Sequence, residues 1–281
     1  MGEFNELHHA VLFGTTSEVA ALISQADDVD VLFDDRTPLW QAVFARKYES
    51  VDLLLAAGAD PARPMMSGWS PARLSLATDH PIPTGEVLTA EEQAAIVERD
   101  RLVAALDGYP EFGFFSFACV AGIDSDEAVR RLEADVVPSA EVPDPLDWWN
   151  EPFGDDTEVA VGITDVPGGC VVVQPWSCAA WLPAVTLPLS VGTTVQALHD
   201  SPTNGYRGRV HRDGVPVDQA LDPGGLPGQG LGTAEVLLTH LYFGNGVAYC
   251  CASAGVRPEN TGAFTTPARW AFLSDRVRWD L

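Results

Sequence analysis

Lysine is almost missing from this chain. Lys47 is the single lysine among 16 basic residues, which face 40 acidic ones, so the 281 residues carry a formal charge of −24. Nucleic acids and anionic membrane surfaces are held chiefly by Lys and Arg against phosphate, so this balance argues against both as partners. A basic partner, or simply solubility, suits it. Cysteine is scarce too: Cys119, Cys170, Cys178, Cys250 and Cys251 are odd in number and form no CxxC pair. That argues against a disulfide framework and against a zinc ribbon. Cys250 and Cys251 sit in the apolar run VAYCCA and are expected to be small core residues. No apolar run reaches membrane-spanning length, and the opening MGEFNELHH is acidic and polar, unlike a signal peptide. Position 6 is Glu6 where myristoylation expects Ser or Thr. A cytoplasmic protein is expected. The lysine-poor, arginine- and alanine-rich composition points to a GC-rich bacterial source, with adaptation to high salt as the alternative.

Signatures of chemistry are lacking as well. There is no G-x-S-x-G. The glycine-rich stretch 224–232 is neither GxGxxG nor followed by the Lys-Ser/Thr of a P-loop, and reads as a flexible loop. His211-Arg212-Asp213 has the order of a kinase catalytic loop, but position 218 is Asp218 where a metal-binding Asn is required, and no nucleotide loop accompanies it. Neighbouring His8 and His9 cannot share a helix face as a metal pair, and His80, His199 and His240 show no ligand spacing. No catalytic residue, metal or cofactor is expected.

What the chain does have is a repeat. In residues 36–61, RTPLWQAVFARKYESVDLLLAAGADP, Thr37-Pro38 makes a helix start: the hydroxyl caps free N–H groups and proline suits the first turn. Leu39, Ala42 and Val43 give one short apolar face. After a polar break, Val51, Leu53, Leu54 and Leu55 give a second, and Gly58 is placed to cap it in the left-handed conformation. Ser70-Pro71-Ala72 lies 33 residues after Thr37-Pro38-Leu39, and Leu7 to Ile23 fits the same frame upstream. Pro81 and Pro83 interrupt the third copy, so a C-terminal segment is expected to close the stack.

The pattern Thr-Pro-Leu, Ala, then Val-x-Leu-Leu-Leu-x-x-Gly-Ala-Asp at this period resembles the ankyrin repeat. The resemblance implies stacked helix–turn–helix units and protein binding through loops or the concave face. It departs from the pattern at Trp40, which stands where the family has a histidine. Trp40 is expected either to pack between repeats or, with Trp69, to approach the binding loops.

Beyond the repeats, the box Thr89 to Glu92 starts a helix running to about Leu106. Residues 112–120 read as a strand, and Ser125 as the cap of a helix with Val129 and Leu132 inward. Residues 135–156 read as a Pro- and acid-rich loop carrying Trp148 and Trp149. A hairpin across residues 158–176, strands at 193–199 and 206–211, a tight turn at Asp213-Gly214, helices at 234–243 and 247–254, and a last strand from Arg269 complete the expectation. The order of these elements, with Gly169-Cys-Val-Val-Val173 and Asp222-Pro223, resembles an uncharacterised α+β domain family of actinobacteria without assigned activity.

The reading is therefore multidomain: an all-α ankyrin-type stack with a closing helix over residues 1–108, then an α+β domain with a largely antiparallel sheet over 109–281. Residues 124–158 hold 12 acidic side chains against Arg130 and Arg131. The expected function is non-catalytic protein recognition, with an acidic immunity or inhibitor protein neutralising a basic partner as its specific form. Trp40, Trp69, Asp144, Asp147, Trp148, Trp149, Asp155 and Asp156 are the candidate partner contacts. Arg207, Arg209 and His211 alternate along a strand and share one face, so they are the candidates for binding an anion. The alternatives are an accessory or regulatory protein whose C-terminal domain takes a small anionic ligand there, or an enzyme of unrecognised type.

Overall fold

A computed structural model describes residues 5–109, 115–137, 159–201, 203 and 205–273, with backbone alone for 218–221. The chain is mixed α+β and divides into two compact units. Unit 1 comprises Met1–Glu98 and Gly225–Phe243; unit 2 comprises Arg99–Gly224 and Gly244–Leu281. In chain order the helices are α1 (Glu6–Phe13), α2 (Thr16–Gln25), α3 (Pro38–Phe44), α4 (Tyr48–Ala56), α5 (Pro71–Ser75), α6 (Ala90–Ala105), α7 (Ser125–Leu132), α8 (Pro183–Leu189), α9 (Thr233–Leu241), α10 (Gly246–Ala254) and α11 (Gly262–Thr265).

Unit 1 is built from helical hairpins α1/α2 and α3/α4 and from α5. Helices α2, α3 and α5 begin on side-chain caps. Thr37 Oγ1 accepts from Trp40 N and Ser70 Oγ from Arg73 N, each with proline next in line, while Thr15 and Glu18 form a reciprocal capping box. Every residue of α3 is buried, as befits a helix packed on α1, α4 and α5. Gly58 (φ +92°) ends α4, and Ala59 N donates back to the Leu54 carbonyl. Consecutive hairpins are tied at a fixed period. Gln41 Nε2 to His8 O (2.7 Å), Thr16 Oγ1 to Glu49 Oε2 (2.6 Å) and Arg63 to Asp30 O (3.2 Å) each join residues 33 apart.

The third hairpin stops after α5. Residues 76–89 form no second helix, and Ser75 Oγ accepts from Ile82 N at 2.8 Å between Pro81 and Pro83. Unit 1 instead gains α9 from far along the chain. His240 packs on Phe44 (centroids 5.2 Å), and Phe243 meets Phe44 edge-on at 5.4 Å. Arg46 donates to the carbonyls of His240, Leu241 and Phe243, satisfying the acceptors at the end of α9.

Unit 2 is an antiparallel sheet of β1 (Phe115–Ala121), β2 (Asp135–Val137), β3 (Ala160–Val166), β4 (Gly169–Gln174), β5 (Thr194–Ser201), β6 (Gly205–Arg212), β7 (Val215–Leu221) and β8 (Arg269–Phe272), in the order β2-β8-β3-β4-β1-β5-β6-β7. Central β1 is buried from Phe115 to Val120, because helices cover both faces. Ala118, Val120, Val172, Val195 and Ala197 pack with α7 and α8, while α10 lies on β1 and β5 across the other face. There Cys119 Sγ and Cys251 Sγ are 3.7 Å apart.

Two local expectations are corrected. Residues 135–137 are not loop but strand β2, paired with β8. The cap of α7 is Asp124, which accepts from Glu127 N, while Ser125 donates its N–H and hydroxyl to Asp165. A carboxylate was available on both sides of the helix start, and Ser125 went to the partner on β3.

Candidate recognition groove

Three loops of unit 1 converge on one groove: residues 26–36, residues 60–69 and residues 225–232. The first ends in a two-residue turn. Phe33 and Arg36 exchange backbone hydrogen bonds (3.0 and 3.1 Å), and the central pair Asp34 and Asp35 both adopt positive φ, +52° and +58°. That is the backbone of a tight hairpin turn, where glycine escapes the Cβ crowding and Asn or Asp tolerates it better than other residues. In the second loop Ser67 is also left-handed (φ +51°). The third loop is lashed on by polar bonds. Ser67 Oγ donates to Leu231 O, Thr233 Oγ1 donates to Ser67 O (3.1 Å), Trp69 Nε1 donates to Thr233 O (2.9 Å), and Gln229 Nε2 donates to Asp34 Oδ1 (2.8 Å).

The groove holds about 520 Å³. Leu32, Pro64, Met65, Met66 and Leu231 supply its apolar lining, and Asp35, Arg63, Ser67 and Gln229 its polar one. Leu32 is 48% exposed, so apolar surface is open to solvent here. Of the three methionines in the chain, two lie in this lining.

Six aspartates and two arginines fall within the three loops. Both cations serve the fold: Arg36 pairs with Asp34, and Arg63 donates to the Asp30 carbonyl. Asp30 Oδ2 in turn accepts from Asp60 N (2.9 Å), holding the first two loops together.

The tryptophans expected at the loops are here, but beneath them. Trp40 and Trp69 are fully buried. Trp40 Nε1 donates to the Trp69 carbonyl at 3.0 Å, and Trp40 stacks on Phe44 at 5.1 Å. Arg73 lies 4.7 Å over the Trp69 ring. Neither indole has surface to offer a partner; both set the height of the loops. Asp144, Asp147, Trp148, Trp149, Asp155 and Asp156 lie outside the described residues. Sequence reading passed over Met65, Met66 and Asp35. The usable signal was two adjacent methionines in a chain with one other, just before a Gly-Trp turn.

In unit 2, Arg207, Arg209 and His211 do share one face of β6, opposite His199, Ala197 and Val195 of β5. Their environments diverge. Arg207 is exposed. Arg209 lies 3.8 Å over the Trp181 ring and donates to the Trp181 carbonyl at 2.8 Å. His211 is 2% exposed, and burial, then the Arg209 charge, hold its pKa below the ordinary histidine value. One exposed cation, one stacked cation and one neutral imidazole form a graded row. Among the described residues no three His, Cys, Asp or Glu side chains are grouped to hold a metal ion. No helix among them is long and apolar enough to cross a membrane.

No known protein family matches this chain, and no curated protein does. Among solved structures, 35% of the chain aligns at 25% identity with the ankyrin repeat domain of Bcl-3, described as a unique member of the IkappaB protein family. The TM-score is 0.30, and the match spans 53% of that domain's length.

Proposed function

We propose that this chain is a non-catalytic protein-recognition module, in which unit 1 is an ankyrin-type stack and the three-loop groove is the contact surface. The observation that carries this reading is the groove itself: apolar side chains open to solvent beside the exposed carboxylate of Asp35. The 33-residue spacing of the inter-hairpin hydrogen bonds supports the ankyrin assignment. The acidic excess of the loops and of the whole chain favours a basic protein partner, because complementary charge raises association rate and selects among partners. An immunity or inhibitor protein that neutralises a basic target is the specific form of this role.

The test is affinity capture on the immobilised full chain, using native lysate from its source and elution by salt. A Met66→Asp chain runs beside it. Capture of a basic protein by the native chain alone, with release by salt, supports the reading; equal capture by both chains removes it.

A second reading concerns β6. Arg209 is held on Trp181 and pairs with no carboxylate among the described residues, and Arg207 is exposed, which suits a small anionic ligand in an accessory or regulatory protein. Thermal stabilisation by phosphate that disappears in an Arg207→Ala/Arg209→Ala chain supports it. No effect of phosphate removes it.

A further inference from the structure

We infer that the unit 1 groove takes a short basic segment of a partner protein: an apolar side chain seated between Met65, Met66, Leu32 and Leu231, with an adjacent arginine or lysine on Asp35. This rests on the recognition role proposed above and specifies its partner's chemistry.

The apolar half of the argument comes from the lining. Four of the ten lining residues are Leu or Met, and the space, about 520 Å³, matches that of sites that enclose a few side chains. Methionine is unbranched and polarizable, so Met65 and Met66 can repack around anchors of different shape. The anchor is therefore selected for being apolar and unbranched or flexible, more than for one identity.

The charged half comes from Asp35. Asp34 is spent on Arg36 and Gln229, Asp30 on Asp60 N, and Asp60 Oδ1 on Ala62 N. Asp35 lines the groove and is exposed, and none of the described groups hydrogen-bonds or pairs with its carboxylate. Its left-handed backbone, at φ +58°, points to a residue kept for its side chain at a position where glycine is easier. Arg36 pairs with Asp34, and Arg63, which also lines the groove, donates to the Asp30 carbonyl and makes no ion pair with Asp35. An acidic or phosphorylated segment would face six aspartates against two arginines in the three loops. A small apolar ligand would leave Asp35 unanswered.

The turn supplies a clean variant. Glycine adopts φ +58° without Cβ strain, so Asp35→Gly removes the carboxylate while keeping the turn. Met66→Asp removes the apolar floor at a half-buried site.

The experiment is fluorescence anisotropy on the full chain, with labelled nine-residue peptides built from Gly, Ser and Ala. The central residue is Leu, Met or Asp, and its two flanking positions carry Arg or Glu. The Arg-flanked Leu and Met peptides are expected to bind, and the Glu-flanked and Asp-centred ones not to. Asp35→Gly is expected to weaken binding about fivefold and to flatten its salt dependence. Met66→Asp is expected to weaken it about tenfold or more. Binding by no peptide, equal binding of Arg- and Glu-flanked peptides, or binding untouched by both substitutions overturns the inference. So does an apolar dye held in the groove while the peptides fail. Capture of the native partner by the Met66→Asp chain judges the recognition role separately: peptides can fail while that capture is still lost.

Discussion

The guanidinium of Arg46 donates to the carbonyl of His240 at 2.9 Å, across 194 residues of sequence. With its bonds to Leu241 and Phe243 it closes the end of helix α9 on the second hairpin of unit 1. Arg46 holds φ +54° to do so, a conformation costly for a residue with a Cβ. The third wall of the groove therefore depends on a side chain that does not line it.

Replacing Arg46 by glycine tests that dependence without backbone strain. Arg46→Gly is expected to lower stability by about 1 to 2 kcal/mol, the loss of charge-assisted hydrogen bonds less the strain released. Urea unfolding gives the value. Limited proteolysis should show faster cleavage within residues 225–232, and an unchanged cleavage pattern would mean that α9 is held by its apolar contacts alone.

Trp40 is the next point of control. Trp40→Ala should cost about 3 to 5 kcal/mol, because it opens a cavity and strips the Trp69 carbonyl of its donor. Trp40→Phe keeps most of the volume and should cost about 1 to 2 kcal/mol. Equal losses for the two, read from urea midpoints, would show that the indole N–H is the larger contribution.

Much of unit 1 was legible because its signals are local. The Thr-Pro and Ser-Pro caps, the apolar faces and Gly58 each act within one turn, and α3, α4 and α5 start where those signals lie. The two units' helices at Thr233–Leu241 and Gly246–Ala254 were legible as helices for the same reason. Their assignment to separate units was not: it depends on Arg46 and Phe44 meeting His240, contacts with no trace in periodicity. Strand β2 escaped notice because its partner β8 lies more than 130 residues away and its own three residues carry no alternation. The groove was half legible. Its acidity could be counted, but the exposure of Met65 and Met66 and the left-handed Asp34-Asp35 turn arise from how loops meet.

Mild acid should destabilise the protein through three histidines. Burial holds the pKa values of His8, His199 and His211 below the ordinary histidine value. The unfolded chain binds protons at these sites as pH falls through about 6.5, and the folded chain resists until lower pH. Stability is thus full above about pH 6.5 and declines as pH drops toward the folded-state values. Urea midpoints at pH 7.5 and 5.5 should differ in that direction, and His211→Gln should reduce the difference; a higher midpoint at pH 5.5 would contradict the sign.

The cysteines should be slow to react. Burial raises the thiols of Cys119 and Cys250 well above the ordinary value, and that of Cys170 to about 12. Iodoacetamide at pH 8 should label Cys178, the one cysteine that is not fully buried, ahead of the other four. Mass spectrometry of the folded chain reads the order. Early labelling of Cys119 or Cys251 would show that the sheet face under α10 opens readily.

The central claim is that unit 1 meets its partner through three loops. Hydrogen–deuterium exchange of the captured complex against the free chain tests it most directly. Protection confined to residues 26–36, 60–69 and 225–232 is the expected result. Protection on β6 and β7 of unit 2, with those loops unchanged, would contradict it.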